Sequence, residues 1–119
     1  VQGGKPLIEH GSIRAQLAEM KMLLDASRCY THRACYLADN QDEGWDPTLG
    51  ALPKAMASQA VWKIATWTME LHGGHGYMKE FGVEKLLRDA AGWLHSDGVN
   101  RTLFLKAANM MYDSDIYGK

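Results

Sequence analysis

The 119-residue chain is predicted to fold as an all-α domain, an antiparallel up-and-down bundle of helices. Three observations support this prediction. Small or apolar residues recur every three or four positions over two long stretches, which is the period of a helix that buries one face. No stretch alternates apolar and polar residues as a half-buried strand does. An acidic segment ending at Pro47 and the glycine pair Gly73–Gly74 separate the periodic stretches into distinct helices.

The first long helix is predicted from Ser12 to about Ala38, after an extended entry segment that contains Gly3, Gly4 and Pro6. Its main stripe consists of Ile13, Leu17, Met20, Leu24, Ser27, Thr31, Ala34 and Ala38. A second stripe lies beside the first and consists of Leu23, Tyr30 and Leu37. We therefore expect this helix to be covered on more than one side. Four acids and no basic residue in the segment 39–47 predict a solvated loop after it.

The second long helix is predicted from about Ala51 to His72, because Pro53 is tolerated in a first helical turn and Gly73–Gly74 ends a helix. Its expected buried face consists of Ala57, Val61, Ile64, Ala65 and Thr68. Two shorter helices are predicted after it, at Val83–Trp93 and from about Gly98 to Tyr112. Their apolar stripes consist of Val83, Leu86, Leu87 and Ala90, and of Val99, Leu103, Ala107 and Met110.

Size and charge restrict the classes of function. The length supports one domain, over residues 1–119. A net charge of −1 gives no electrostatic basis for binding nucleic acid or an anionic membrane. No apolar run reaches the ~20 residues that span a bilayer. Cys29 and Cys35 point in different directions on the first helix, so free thiols and a cytoplasmic location are predicted. No metal site is predicted, since His72, His75 and His95 lack ligand spacing.

One motif series in the second half of the chain is more specific than the helical pattern. It consists of Glu70-Leu71-His72-Gly73-Gly74-His75-Gly76-Tyr77, Val83-Glu84-Lys85, Arg88-Asp89 and Asp97-Gly98-Val99. In residue types and offsets it resembles the C-terminal helical domain of the FAD-dependent acyl-CoA dehydrogenases. That family shows Gln, Gly-Gly-x-Gly-Tyr or Phe, Val-Glu-Lys or Arg, Arg-Asp, and Glu-Gly-Thr at these places. Matches at 5–10 and 17–20 extend the resemblance over nearly the whole chain.

The resemblance implies both a fold and an activity. It implies a bundle that lacks the first helix of the family domain, within a parent chain that also has a helical N-terminal domain and a β-rich middle domain. The implied reaction is α,β-dehydrogenation of an acyl-CoA thioester with FAD, followed by electron transfer to an electron-transfer flavoprotein. The isolated fragment is expected to be inactive. It is also expected to self-associate through the apolar groove that the missing helix leaves, and a homo-oligomer is expected.

Asp97 aligns with the Glu that serves in most of the family as the base removing the α-proton of the substrate. A carboxylate suits this role in an apolar site. Asp is one methylene shorter, which withdraws its oxygens by roughly 1.5 Å, and a misplacement of ~1 Å can cost ~100-fold in rate. The alternative interpretation is that Asp97 only caps the last helix by accepting its free N–H groups.

The resemblance places the cofactor-binding residues in two parts of the chain. Gly73 and Gly74 (with Gly76) match a turn whose backbone approaches the adenine end of FAD in a neighbouring subunit. On spacing alone, a plain helix C-cap and turn is the better explanation of these glycines. Four positions depart from the family pattern, which marks a divergent member: Glu70 replaces a cofactor-contacting Gln, Val99 a Thr, Arg101 a frequent Gln, and Gly3 a common aromatic residue. Arg101 is a candidate partner for Glu70 or for a phosphate.

The remaining matches have structural interpretations. Arg88 and Asp89 are predicted to form ion pairs between elements, and Arg28 and Lys54 are read in the same way. Trp93 is predicted to lie in the core, with a position at a substrate pocket as the alternative.

Two other functions remain open. One is a related flavin oxidase or monooxygenase, such as a nitroalkane oxidase-like protein, that uses an Asp base. The other is a non-catalytic helical module for oligomerisation or partner binding.

Overall fold

The computed structural model describes residues 1–113, and within them it contains five α-helices. These are α1 (Gly11–Asp39), α2 (Leu52–His72), α3 (Gly74–Tyr77), α4 (Val83–Trp93) and α5 (Asn100–Asp113). Short 3-10 turns lie at Leu7–Glu9, Gln41–Glu43, Pro47–Gly50 and Lys79–Phe81. Residues 1–113 contain no strand, only an isolated bridge between Gln2 and Lys5. The prediction of an all-α fold is confirmed.

Helix α2 is the centre of the bundle. Helix α1 packs antiparallel along it, so that Glu19 near the start of α1 forms an ion pair of 2.9 Å with Lys63 in the second half of α2. Helix α4 returns along another side of α2, while α5 packs on α2 and on the turn Pro47–Gly50. This path brings the end of α4 and the start of α5 back to the N-terminal end of α2.

The predicted buried face of α2 is wrong. Its buried residues are Pro53, Ala55, Ser58 and Ala60, whereas Val61 is 41% exposed. Apolar residues occur around most of this helix, so their spacing predicts a helix but not which side is covered. Neighbouring helices approach where the side chains are small, at Ala55 and Ser58, and the larger side chains of the predicted face line an open groove.

The described part of the chain is elongated and has a thin core. It measures 60 × 26 × 25 Å, with a radius of gyration of 18.2 Å. A compact chain of this length has a radius of about 13.5 Å. No large side chain within residues 1–113 is fully buried, and alanines provide most of the buried apolar positions. None of the helices among these residues combines the length and apolar character needed to cross a membrane.

Candidate active site

Asp97 lies in the turn that joins α4 to α5, and its backbone is unusual. With φ of 52° it is the one non-glycine residue within residues 1–113 that has a positive φ, and Gly98 follows with φ of 104°. A non-glycine residue in this conformation costs on the order of 1 kcal/mol, although Asp tolerates it better than most residues. The two left-handed residues explain why α5 begins at Asn100, two residues later than predicted.

The side chain of Asp97 is exposed and makes no hydrogen bond or ion pair within the described residues. The structure gives the capping alternative no support, because no N–H group at the start of α5 donates to the Asp97 carboxylate, and those of Thr102 and Leu103 donate to the carbonyl oxygen of Val99. Val99 is therefore the residue at which the hydrogen bonding of α5 begins. The carboxylate of Asp97 is left available to a group from outside the bundle.

A polar network lies directly below this turn. Lys54 Nζ donates to the carbonyl oxygen of Gly98 at 2.8 Å and to Asn100 Oδ1 at 3.1 Å. Asn100 Nδ2 in turn donates to Ser58 Oγ at 2.9 Å. Both Asn100 and Ser58 are buried, so each needs these partners.

Sequence reasoning missed this network, although a signal for it exists. Asn100 shares a helix face with Leu103 and Ala107, and a polar side chain on a buried face requires a partner. Lys54 links two elements, as predicted, but it does so through the carbonyl oxygen of Gly98 and the amide oxygen of Asn100 and not through an ion pair.

An apolar cavity of about 440 Å³ lies beside the network, between α1, α2 and the end of α4. Its lining includes Cys35, Leu49, Pro53, Lys54, Val61 and Trp93. Trp93 is 56% exposed, so its predicted place in the core is wrong; it lines this cavity, and its position at a substrate pocket stays a prediction. A second cavity of about 390 Å³ shares Val61 with the first and reaches Val83 and Leu86 on α4. Together they form one apolar groove along the face of α2 that was expected to be buried.

At the other end of α2, the structure explains why some but not all positions of the glycine turn lack a side chain. Gly73 ends α2 with φ of 56°. Gly76 packs on α2 so closely that a Cβ there would lie 2.7 Å from the carbonyl oxygen of Met69. Gly74 has neither constraint, because its φ is not positive and a Cβ built on it meets no atom within 4 Å. Its lack of a side chain has no explanation within residues 1–113.

The predicted site residues fall into two separate groups. Lys54, which binds the Asp97 turn, and Glu70, beside the glycine turn, are 16 positions apart on α2. At ~1.5 Å of rise per residue this places them roughly 24 Å apart along the helix. The first group consists of Asp97, Val99 and Arg101, and the second of Glu70, Gly73 and Gly74. The suggested pairing of Glu70 with Arg101 is wrong, because the two are in different groups and no ion pair joins them.

The ion pairs of α4 also differ from the prediction. Arg88 bonds Glu84 at 2.9 Å, and Lys85 bonds Asp89, so both pairs lie within one helix rather than between elements. Exposed pairs of this kind contribute only about 0.3–0.5 kcal/mol each. The histidines also have local contacts, since His72 Nδ1 lies 2.7 Å from the carbonyl oxygen of Thr68 and His75 packs edge-on against Phe81. Residues 1–113 hold no cluster of three or more His, Cys, Asp or Glu side chains suited to a metal ion.

Comparison with known proteins gives a consistent result. The family model described as acyl-CoA dehydrogenase, C-terminal domain, matches residues 1–110. A cyclohex-1-ene-1-carbonyl-CoA dehydrogenase from Geobacter metallireducens is 38% identical over 90 residues, which are 76% of this chain and 23% of that protein. A short-chain specific acyl-CoA dehydrogenase from Megasphaera elsdenii is 37% identical over 91 residues, again 76% and 23%.

A solved structure extends the comparison to the fold. Butyryl-CoA dehydrogenase from Megasphaera elsdenii superimposes with a TM-score of 0.85 at 29% identity, over 94% of this chain and 29% of that one. The chain therefore spans about a quarter of the length of the relatives it matches.

Proposed function

Since this chain belongs to the acyl-CoA dehydrogenase family and matches its C-terminal domain, we propose that residues 1–119 are the C-terminal helical domain of a larger FAD-dependent enzyme. The proposed reaction is the α,β-dehydrogenation of an acyl-CoA thioester. The observation on which the proposal chiefly depends is the unpartnered carboxylate of Asp97, a residue that the resemblance aligns with the family's base.

Asp97 removes the α-proton of the thioester in this proposal. The Asp97 carboxylate has no hydrogen-bond partner within the described residues. It can therefore accept the α-proton once the bound substrate has displaced the water around it. Lys54 bonds the turn at Gly98 and is itself bonded to the buried Asn100, so the shorter Asp side chain starts from a defined backbone position. When bound, FAD supplies an acceptor for the hydride that leaves the β-carbon.

The residues present fit a flavin dinucleotide in part. Gly74 leaves open space where any other residue would place a Cβ, which suits close approach of a ligand to the backbone. Glu70 opposes a diphosphate by charge, whereas Arg101 would attract one. Val99 offers no hydroxyl group. The resemblance places Glu70, Gly73, Gly74, Val99 and Arg101 at the cofactor, and of these the chemistry of the glycines and Arg101 favours binding, whereas that of Glu70 and Val99 does not.

The separation of the two groups supports a homo-oligomer. Asp97 would serve the substrate of its own subunit, and the glycine turn, roughly 24 Å away along α2, would meet the cofactor of a neighbour. The thin core and exposed apolar groove fit a domain that is covered by other parts of an assembly. The further partners proposed are the acyl-CoA substrate and an electron-transfer flavoprotein. The free thiols Cys29 and Cys35 favour the cytoplasm.

One observation favours a second candidate. An Asp in place of Glu also suits a flavin oxidase or monooxygenase on the same fold, with the same residue as carbon-acid base. Such an enzyme would reoxidise its flavin rapidly with oxygen and would not need an electron-transfer protein.

The visible absorbance spectrum of the full-length protein tests these proposals. We expect a flavin band that acyl-CoA bleaches under anaerobic conditions, and an Asp97→Asn variant that keeps the band but is not bleached. If acyl-CoA does not bleach the band but a carbon acid that is not a thioester does, the result would favour the oxidase. A colourless protein that takes up no added FAD would contradict both enzymes and favour a non-catalytic helical module.

A further inference from the structure

We propose that Lys54 is a positioning residue for Asp97, acting through the carbonyl group of Gly98. The inference rests on the proposed function of Asp97 as the base. Lys54 itself touches neither the carboxylate nor the reacting atoms in this proposal. Its ammonium group fixes the turn from which the carboxylate extends, and so sets where the base meets the α-carbon of the substrate.

The first support is the scarcity of other polar contacts in the turn. The backbone N–H groups of Asp97, Gly98 and Val99 make no hydrogen bond within the described residues. The carbonyl oxygen of Gly98 accepts the 2.8 Å bond from Lys54. This charged bond is therefore the polar contact that ties the left-handed part of the turn to α2.

The second support is a packing contact at the same residue. A Cβ on Gly98 would lie 3.3 Å from Leu103 Cδ2, so the Leu103 side chain already lies close against this glycine. Gly98 is thus held by Lys54 on α2 and by Leu103 on α5. Asp97 is attached directly to this held residue and has no contact of its own to fix it.

The third support is the way in which Lys54 is itself held. Its second bond goes to Asn100, which Ser58 anchors from one turn further along α2. Lys54 is half-buried, so its side chain has less freedom than that of a surface lysine. A flexible lysine could hold the turn only loosely, whereas a lysine that also bonds the buried Asn100 side chain keeps one direction.

The test uses the full-length, flavin-loaded protein and the substitution Lys54→Met, which keeps the length of the side chain and removes its donors. Because a misplacement of ~1 Å costs ~100-fold in rate, we expect kcat to fall by about 10- to 100-fold while KM changes little. The ratio of kcat for acyl-CoA to kcat for its α-deuterated form should increase, because removal of the α-proton then limits the rate. Lys54→Arg should recover part of kcat.

Lys63→Met is the matched control, since Lys63 is also on α2 and its ion pair with Glu19 lies away from the turn. We expect wild-type kcat from it. A Lys54→Met protein with the kcat of the control would overturn the proposal, as would a loss of kcat matched by an equal loss of bound flavin. If Lys54→Met fails to fold, Ser58→Ala loosens the same anchor, and a kcat and isotope effect equal to wild type would overturn the proposal.

The same experiments separate this inference from the function on which it rests. Activity that survives Asp97→Asn shows that the base is misassigned, and the positioning role then falls with it. Activity that is lost in Asp97→Asn but kept in Lys54→Met overturns the positioning role alone.

Discussion

Lys54 in the first turn of α2 bonds the carbonyl oxygen of Gly98 at 2.8 Å, across 44 residues of chain. This bond joins the start of the central helix to the turn that presents Asp97. The predicted base is therefore not carried on a free loop, although its side chain is exposed. Local sequence produces the left-handed turn, and a distant lysine fixes it in the bundle.

Substitutions of Asp97 should separate its backbone conformation from its chemistry. Asp97→Ala puts an alanine at φ of 52°, so we expect the free energy of unfolding to fall by about 1 kcal/mol, whereas Asp97→Gly should lose little. Both should abolish reduction of the flavin by acyl-CoA. Thermal unfolding and anaerobic reduction measure the two properties. Equal stability of the Ala and Gly variants would show that the turn relaxes.

The buried amide of Asn100 should matter for stability more than its size suggests. Asn100→Ala removes the amide that joins Ser58 to Lys54, so that Ser58 keeps only its bond to the carbonyl oxygen of Ala55 and Lys54 only its bond to that of Gly98. We expect a loss of about 1–3 kcal/mol in the free energy of unfolding. Asn109→Ala, on the exposed side of the same helix, is the control and should change stability by less than about 0.5 kcal/mol. Denaturant unfolding of both variants checks this. Similar losses in the two variants would contradict the importance of the network.

The contact between Tyr36 and Glu43 should show in alkaline titration. The Tyr36 hydroxyl donates to the Glu43 carboxylate at 2.7 Å, which raises the pKa of Tyr36 above 10.0, and slight desolvation adds to this. Because the folded pKa is the higher one, the stabilisation is complete below pH 10.0 and is lost as pH rises through the folded pKa.

The absorbance difference between wild type and Tyr36→Phe isolates this phenol from the other tyrosines. Its midpoint should lie above 10.0, and Glu43→Gln should lower it. A midpoint that Glu43→Gln does not change would contradict the assigned cause.

The sequence predicts local structure well and tertiary contacts poorly, for identifiable reasons. The bounds of α4 match at both ends because Gly82 and the stripe from Val83 are local signals. Trp93 and the stripe of α2 were assigned to the core because large apolar side chains usually lie there. Within residues 1–113, Trp93 and Val61 remain more than a third exposed, and the rest of the α2 stripe is only half-buried along an open groove. The partners of charged side chains could not be predicted either, since no rule of sequence spacing connects Lys54 to the carbonyl group of Gly98.

For the candidate site too, the sequence predicts local features but not tertiary contacts. The sequence places Asp97 directly ahead of the last helix, but it does not predict the left-handed φ of this residue or the later start of α5. Residue types and offsets predict the two groups of site residues. Their separation along α2 requires the fold, because it depends on α4 returning to the start of that helix.

Gly74 and Gly76 should differ in how substitution by alanine affects stability. Gly76→Ala places a Cβ 2.7 Å from the backbone oxygen of Met69, which cannot move without disturbing α2, so we expect a loss of roughly 1–3 kcal/mol in stability. Gly74→Ala meets no atom within 4 Å, so unfolding should be unchanged. If Gly74 is open because a cofactor of a neighbouring subunit approaches its backbone, Gly74→Ala should instead lower the flavin bound per chain.

Absorbance of the purified full-length variants, with their thermal unfolding, measures both effects. Full flavin content in a stable Gly74→Ala protein would remove this glycine from the cofactor site. The turn would then be only the end of α2, since Gly73 and Gly76 already have structural reasons for lacking a side chain. Reduced flavin content without loss of stability has no explanation within the described chain. It would therefore support a ligand or neighbouring subunit against the backbone of Gly74.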